Sequence, residues 1–193
     1  MRITLTGTDF NRIMRVCGPA VSKDDVRESL QHIEIQCNGQ GEGCATGCDG
    51  YTLAQTRFPC QGERGTVMIR PYKTVRNDCA IEITKDGGTV SISDGVETCT
   101  RQEPAAPYIC HADICKAAQE GEPKITIAFS AQLLKQMLKS YSAGRQIVYL
   151  EIREADKAVI VKSSYNACGL VLPMRINGDY EETEFWRMEE EKQ

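Results

Sequence analysis

The stretch CATGCDGYTLAQTRF, residues 44–58, carries two competing signals. Cys44 and Cys48 point to a metal or redox site. Asp49-Gly50-Tyr51 followed by Leu53-Ala54 reads instead as a turn that feeds a strand. The flanking segments favour the second reading. Upstream, SLQHIEIQCN (29–38) places Leu30, Ile33, Ile35 and Cys37 in the rhythm of a half-buried strand, with His32 among them, and NGQGEG (38–43) is a Gly-rich turn. Downstream, GTVMIRP (65–71) is a short strand, and AIEITKDGGTVSISDGVETCTR (80–101) reads as three strands joined by tight Asp-Gly turns.

Helices bracket these strands. After the short strand ITL (3–5), TGTDFNRIMRVCGPAV (6–21) has Thr8 as a cap candidate and Asp9 in the first turn. Phe10, Ile13, Met14 and Cys17 form one apolar face, and Gly18-Pro19 stops the helix. Past a Pro-rich joint, EPAAPY (103–108), the segment 109–123 has no clear periodicity, and KITIAF (124–129) predicts a strand. SAQLLKQMLKSYSAG (130–144) predicts the second helix, with Ser130 as cap, an apolar face of Leu133, Leu134, Met137, Leu138 and Tyr141, and Gly144 as terminator. QIVYLEIRE, KAVIVKS and CGLVLPMRI predict three further strands, and an acidic tail follows. The order implies an α+β fold with antiparallel sheets covered on one face by helices. It lacks β-α-β alternation and a Gly-rich nucleotide fingerprint.

With 193 residues, 41% hydrophobic, the chain can bury a sizeable core. The first residues show no secretory leader and no apolar run is long enough to span a membrane, so a cytoplasmic location with reduced cysteines is expected. Acids outnumber bases 27 to 23, which excludes a bulk basic nucleic-acid binder but not a local basic face. Residues 10–23 hold Arg12, Arg15 and Lys23 and no acid; residues 123–150 hold Lys124, Lys135, Lys139 and Arg145 and no acid. Arg12 and Arg15, and likewise Lys135 and Lys139, share a helix face. Such faces suit sequence-independent contact with a duplex backbone, and the want of interleaved aromatics argues against single strands.

Several segments together resemble one family, the bacterial DNA polymerase III sliding clamp (beta subunit). DFNRIMRVCGPAVSKDDVRESLQHIEIQ (9–36) is similar to the first helix and strand of a clamp domain, with matches at Phe10, Val16, Ala20, Ser22, Asp24, Arg27 and Leu30. DGYTLA (49–54) resembles the clamp turn DGYRLA, and LVLPMRI (170–176) resembles its terminal VMPMRL run. VETCTRQEPAAPY (96–108) looks like the strand and joint that end a clamp domain, and ITIAFSAQLLKQMLKSY (125–141) like the strand and helix of the last one. The resemblance implies a DNA-clamp-like processivity fold with two helices on one face. It implies a domain over 1–108 whose second helix has shrunk to YKTVRND (72–78), a half-domain over 109–177 and an acidic tail over 178–193. The other division is one two-helix domain, 1–70 plus 124–177, with 71–123 inserted.

The resemblance also implies function. Basic helices carrying Arg12, Arg15, Lys23, Lys135, Lys139 and Arg145 would face duplex DNA. The DGYTL turn and LVLPMR run would form an apolar groove for peptides of DNA polymerase or other clamp clients. Its residues would be Cys48, Gly50, Tyr51, Thr52 and Leu53 with Leu170, Leu172, Pro173, Met174 and Arg175. Leu, Met and Pro make an adaptable apolar floor, and Tyr and Arg commonly anchor interfaces. The implied role is a replication or repair accessory that tethers clients to DNA, with homo-oligomer formation as one route to a ring. Phe185-Trp186 of the tail could compete for the groove. The alternatives are a clamp-derived interaction domain without DNA encirclement, and a zinc-stabilised binding domain using Cys37, Cys44, Cys48 and Cys60, or Cys110, His111 and Cys115. Cys44-x3-Cys48 lacks knuckle spacing, so no metal and no cofactor are expected. His32 and His111 have no nucleophile motif beside them, and no catalytic residue is expected.

Overall fold

In the computed structural model, residues 1–24, 26–140, 147–163 and 168–174 are described. Among these residues there are two compact units, one of residues 1–118 and one of residues 119–174. The first unit opens with β1 (Arg2–Thr6), which runs directly into α1 (Gly7–Cys17). Thr6, not Thr8, is the cap: its Oγ1 accepts from the Asp9 amide at 3.1 Å. The helix begins earlier than the pattern predicts because Gly7 can lie against the Arg76 carbonyl, where a Cβ would sit 1.9 Å from the oxygen. Phe10, Ile13 and Cys17 are buried, as the periodicity predicts. A 3-10 turn, Gly18–Ala20, ends the helix.

Then follow β2 (Ile33–Cys37), β3 (Glu42–Cys48) and β4 (Leu53–Pro59), with a two-residue β5 (Gln61–Gly62). The alternation expected from Ser29 starts only at Ile33, because Glu28–Gln31 coils into a 3-10 turn. β6 (Gly65–Ile69) leads to β7 (Ala80–Asp86), β8 (Thr89–Ser93) and β9 (Thr98–Gln102). Residues 71–79, where a reduced helix is expected, contain a turn but no helix. They are stitched to α1 instead: Asn11 Nδ2 donates to the Val75 carbonyl at 2.8 Å, Asn11 Oδ1 accepts from the Val75 amide at 3.0 Å, and the Gly7 amide donates to the Cys79 carbonyl at 2.8 Å.

The strands form two antiparallel sheets, β5-β1-β7-β8-β9 and β4-β3-β2-β6. The topology repeats. One half is β1-α1-β2-β3-β4; the other is β6, the 71–79 connection, and β7-β8-β9. Each half lends its leading strand to the other half's sheet. β1 pairs with β7 (Ile3 opposite Ile83) and β6 pairs with β2 (Val67 opposite Ile35). The inner faces of both sheets and α1 share one core, which includes Ile3, Phe10, Ile35, Phe58, Val67 and Ile83.

β2 and β3 are buried on their outer face as well. Tyr108, at the end of the Pro-rich joint, and His111, just past it, lie against it. The Tyr108 hydroxyl donates to the Thr46 carbonyl at 3.2 Å, and its ring stands edge-on to His111 at 6.2 Å. Within the segment that lacks periodicity, α2 (Ala112–Ala118) forms and buries Cys115.

The second unit contains α3 (Ala131–Ser140), with Ser130 Oγ accepting from the Leu133 amide at 3.4 Å as the sequence predicts. Leu134 and Met137 are half-buried, whereas Leu133 and Leu138 of the expected apolar face are exposed. β10 (Val148–Glu151), β11 (Val159–Ser163) and β12 (Cys168–Val171) form its sheet in that order. KITIAF is not a strand: among the described residues it has no ladder partner, only one backbone bond from the Met174 amide to the Ala128 carbonyl at 2.8 Å. Tyr141, Gly144 and the tail lie outside the described residues.

Candidate DNA-facing and peptide-binding surfaces

The basic residues fall into different circumstances. Arg12 is already committed: its Nη2 donates to Asp9 Oδ1 at 2.8 Å and to the Arg57 carbonyl at 2.9 Å. Asp9 is buried, so the pair ties α1 to β4 and leaves little charge for a ligand. Arg15, in the last turn of α1, and Lys23 are exposed. Lys135 and Lys139 are exposed on α3, in the other unit. Arg145 lies outside the described residues.

The DGYTL turn is a built structure. Asp49 Oδ1 accepts from the Tyr51 amide at 2.8 Å, the Thr52 amide at 2.6 Å and the Thr52 hydroxyl at 3.1 Å. These donors, the Thr52 amide first, hold the Asp49 carboxyl below the usual carboxylate range. Gly50 takes φ +91°, a conformation that a side chain would strain. The consequence is a presented aromatic: Tyr51 is 98% exposed. Cys48 is buried under the turn, its Sγ accepting from the Gly50 amide at 3.3 Å, and Leu53 is half-buried.

Beside Tyr51 lies a cleft of about 310 Å³ that also takes in Val26, Arg27 and Leu30 from the exit of α1. These three residues lie outside the groove that the sequence predicts. Val26 is an exposed apolar side chain next to an acid-rich run, and that mismatch is the signal the sequence offers. In the second unit Leu170, Leu172 and Met174 are exposed and Pro173 is half-buried; Arg175 is outside the described residues. The two sets of groove residues thus belong to different units.

The cysteines separate rather than cluster. Cys37 and Cys60 touch at 2.9 Å on the core side, while Cys44 and Cys48 occupy the opposite face of β3. Burial pushes the Cys17, Cys44 and Cys60 thiols up to about 12, so they stay protonated, a poor state for ligation or attack. Among the described residues, no three Cys, His, Asp or Glu side chains are grouped to hold a metal ion.

Taken together, the two interlocked half-motifs and the third in the second unit define a sliding-clamp fold in shortened form. The chain is similar to the DNA polymerase III beta subunit of Thermotoga maritima at TM-score 0.68 and 14% identity, over 90% of this chain and 50% of that one. It is similar to the DNA polymerase sliding clamp of Bacillus subtilis at TM-score 0.71 and 14% identity, over 93% and 50%. A Pseudomonas aeruginosa DnaN sliding clamp bound to griselimycin matches at TM-score 0.59 and 12% identity, over 91% and 66%. The chain therefore spans about half the length of the Thermotoga and Bacillus clamps. No protein-family model and no curated protein sequence matches it. Among the described residues, no helix is long and apolar enough to cross a membrane.

Proposed function

We propose that this chain is a non-catalytic, cytoplasmic clamp-like accessory of DNA replication or repair. It tethers client proteins to duplex DNA through an apolar peptide groove. The observation that carries the reading is the fold, shared with bacterial sliding clamps across nine-tenths of the chain. Arg15 and Lys23 on one unit and Lys135 and Lys139 on the other supply exposed charge for phosphates. Tyr51 on the first unit, and separately Leu172 and Met174 on the second, supply exposed apolar anchors for a peptide. Tethering acts by raising a client's effective concentration at DNA, which needs no catalytic group.

The DNA arm is tested by Arg15→Glu combined with Lys135→Glu and Lys139→Glu. Arg12 is left intact because its guanidinium holds α1 to β4. Duplex affinity should fall about equally for any sequence, and the salt slope should drop by about one for every phosphate that is no longer neutralised. No duplex affinity at low salt, on linear and closed circular DNA alike, would sink this arm. The groove arm is tested with a clamp-client peptide. Leu172→Asp or Met174→Asp should abolish binding, and deletion of residues 178–193 should strengthen it if Phe185-Trp186 competes. Binding indifferent to both aspartates would remove the groove.

The neutralisation of Arg12 by Asp9 favours a second reading, a clamp-derived interaction domain that keeps the groove without encircling DNA. It expects peptide binding with no duplex affinity.

A further inference from the structure

The second unit repeats one half of the first: a leading segment (124–129), a helix (α3) and a three-stranded meander in the order β10-β11-β12. In the first unit each leading strand has a long partner in the other half. β1 is flanked by β5, the extension of its own half, and by β7 of the other half. In the second unit the first kind of neighbour is present, as the bond from the Met174 amide to the Ala128 carbonyl. The second is missing among the described residues. The acceptor edge shows the same gap among the described residues: β10 corresponds to β2 and β7, yet only β11 pairs with it there.

Burial marks the same gap. Leu150 stands opposite Val161, on the core side of its sheet, but is 46% exposed. The core-side residues of β2 and β7 (Ile33, Ile35, Ile81 and Ile83) are at most 1% exposed. On the leading segment Ile125 is 45% exposed, against 0% for Ile3 of β1. Among the described residues, an apolar segment without a ladder and a strand edge without a second neighbour lie on the same unit and make a self-complementary pair.

We infer that two copies of this chain complete each other's second unit, each laying residues 125–129 antiparallel along the partner's β10. The geometry is that of β1 on β7 and β6 on β2, turned from an intramolecular pseudo-two-fold into a two-fold between copies. Each resulting sheet has four strands, and Leu150, Ile152 and Ile125 become interior. This pairing is independent of DNA and peptide binding.

The test is the mass of the full chain in solution, in reductant because of its ten cysteines. Twice the chain mass of 21.4 kDa is expected, dissociating on dilution. Ile125→Asp and Leu150→Asp should each give the single-chain mass with unchanged circular dichroism. Mixing the two variants should restore part of the two-chain mass, because their heterodimer keeps one of the two strand-on-edge contacts intact. Should either variant unfold, amide hydrogen exchange on the unmodified chain decides: amides of 125–129 and of β10 should lose protection on dilution. A single-chain mass at every concentration, a two-chain mass that survives both substitutions, or a mixture that stays single-chain overturns the pairing. So does protection independent of concentration, which would put a segment of the same chain on the β10 edge.

Discussion

Glu34→Gln should make the protein's stability less sensitive to alkaline pH, by about 3 kcal/mol between pH 4.5 and pH 8. Glu34 lies on the outer face of β2, beneath the Tyr108–His111 cover, and is 7% exposed. Burial raises its carboxyl from the ordinary 4.5 to about 7, partly offset by the hydrogen bond from Gln36 Nε2 at 3.1 Å. His111 Nδ1 is 3.8 Å from Oε2, beyond hydrogen-bond reach, and burial lowers that imidazole's pKa. Near neutral pH the ring is therefore uncharged and supplies no counter-charge. Because the folded pKa exceeds the unfolded one, the protonated carboxyl's contribution is complete below pH 4.5 and is lost as pH rises through about 7. His32 and His111, both lowered by burial, act in the opposite sense, costing stability as pH falls below 6.5. They are common to both proteins and cancel in the comparison. Urea unfolding at several pH values reads the difference; an offset constant with pH would mean that Glu34 ionises without cost.

Gly47→Ala should cost about 3 kcal/mol, at the upper end of what overpacking does. A Cβ at Gly47 would lie 2.3 Å from the Cys17 carbonyl oxygen and 3.0 Å from its carbon. Both are backbone atoms at the end of α1, so no rotamer relieves the clash and the helix must lift from β3. Gly18 is the contrast. Its φ of −55° is helical and a Cβ there meets nothing within 4 Å. Gly18→Ala should leave stability unchanged or raise it by about 0.5 kcal/mol through the unfolded chain. Thermal unfolding of the pair checks both; equal melting temperatures would contradict the close approach of α1 to β3.

Local pattern makes much of this fold readable. The α1 face, the Asp-Gly turns between β7, β8 and β9, and the Asp49-Gly50 turn each follow from spacing and glycine chemistry within a few residues. What stays hidden depends on distant residues. Glu34 and Thr46 are buried on the outer face of β2 and β3, where Tyr108, at the end of the Pro-rich joint, and His111, just past it, reach them, and nothing local announces that cover. KITIAF alternates like a strand, but alternation names a face and not a neighbour, and no ladder partner lies among the described residues. Arg12 reads as a free cation only because the acid-free window begins at residue 10, one place after Asp9; the i,i+3 pair itself is legible. Tyr51 is legible through its turn. Leu30 in the adjoining cleft is not, since nothing local distinguishes a cleft-lining leucine from a core one.

The exchange of leading strands between halves sets an order on biosynthesis. Of the described elements β1 leaves the ribosome first, yet its long ladder partner starts only at Ala80. Until then its one available pairing is the two-residue match with β5. The β2-β3-β4 meander can close early from near neighbours, whereas the sheet holding β1 must wait for the second half and close a long loop first. The nascent first half therefore carries Ile3 and Leu5 on an uncovered edge until the second half arrives, and it is during that interval, rather than in the finished molecule, that β1 is most open to pairing with the wrong chain.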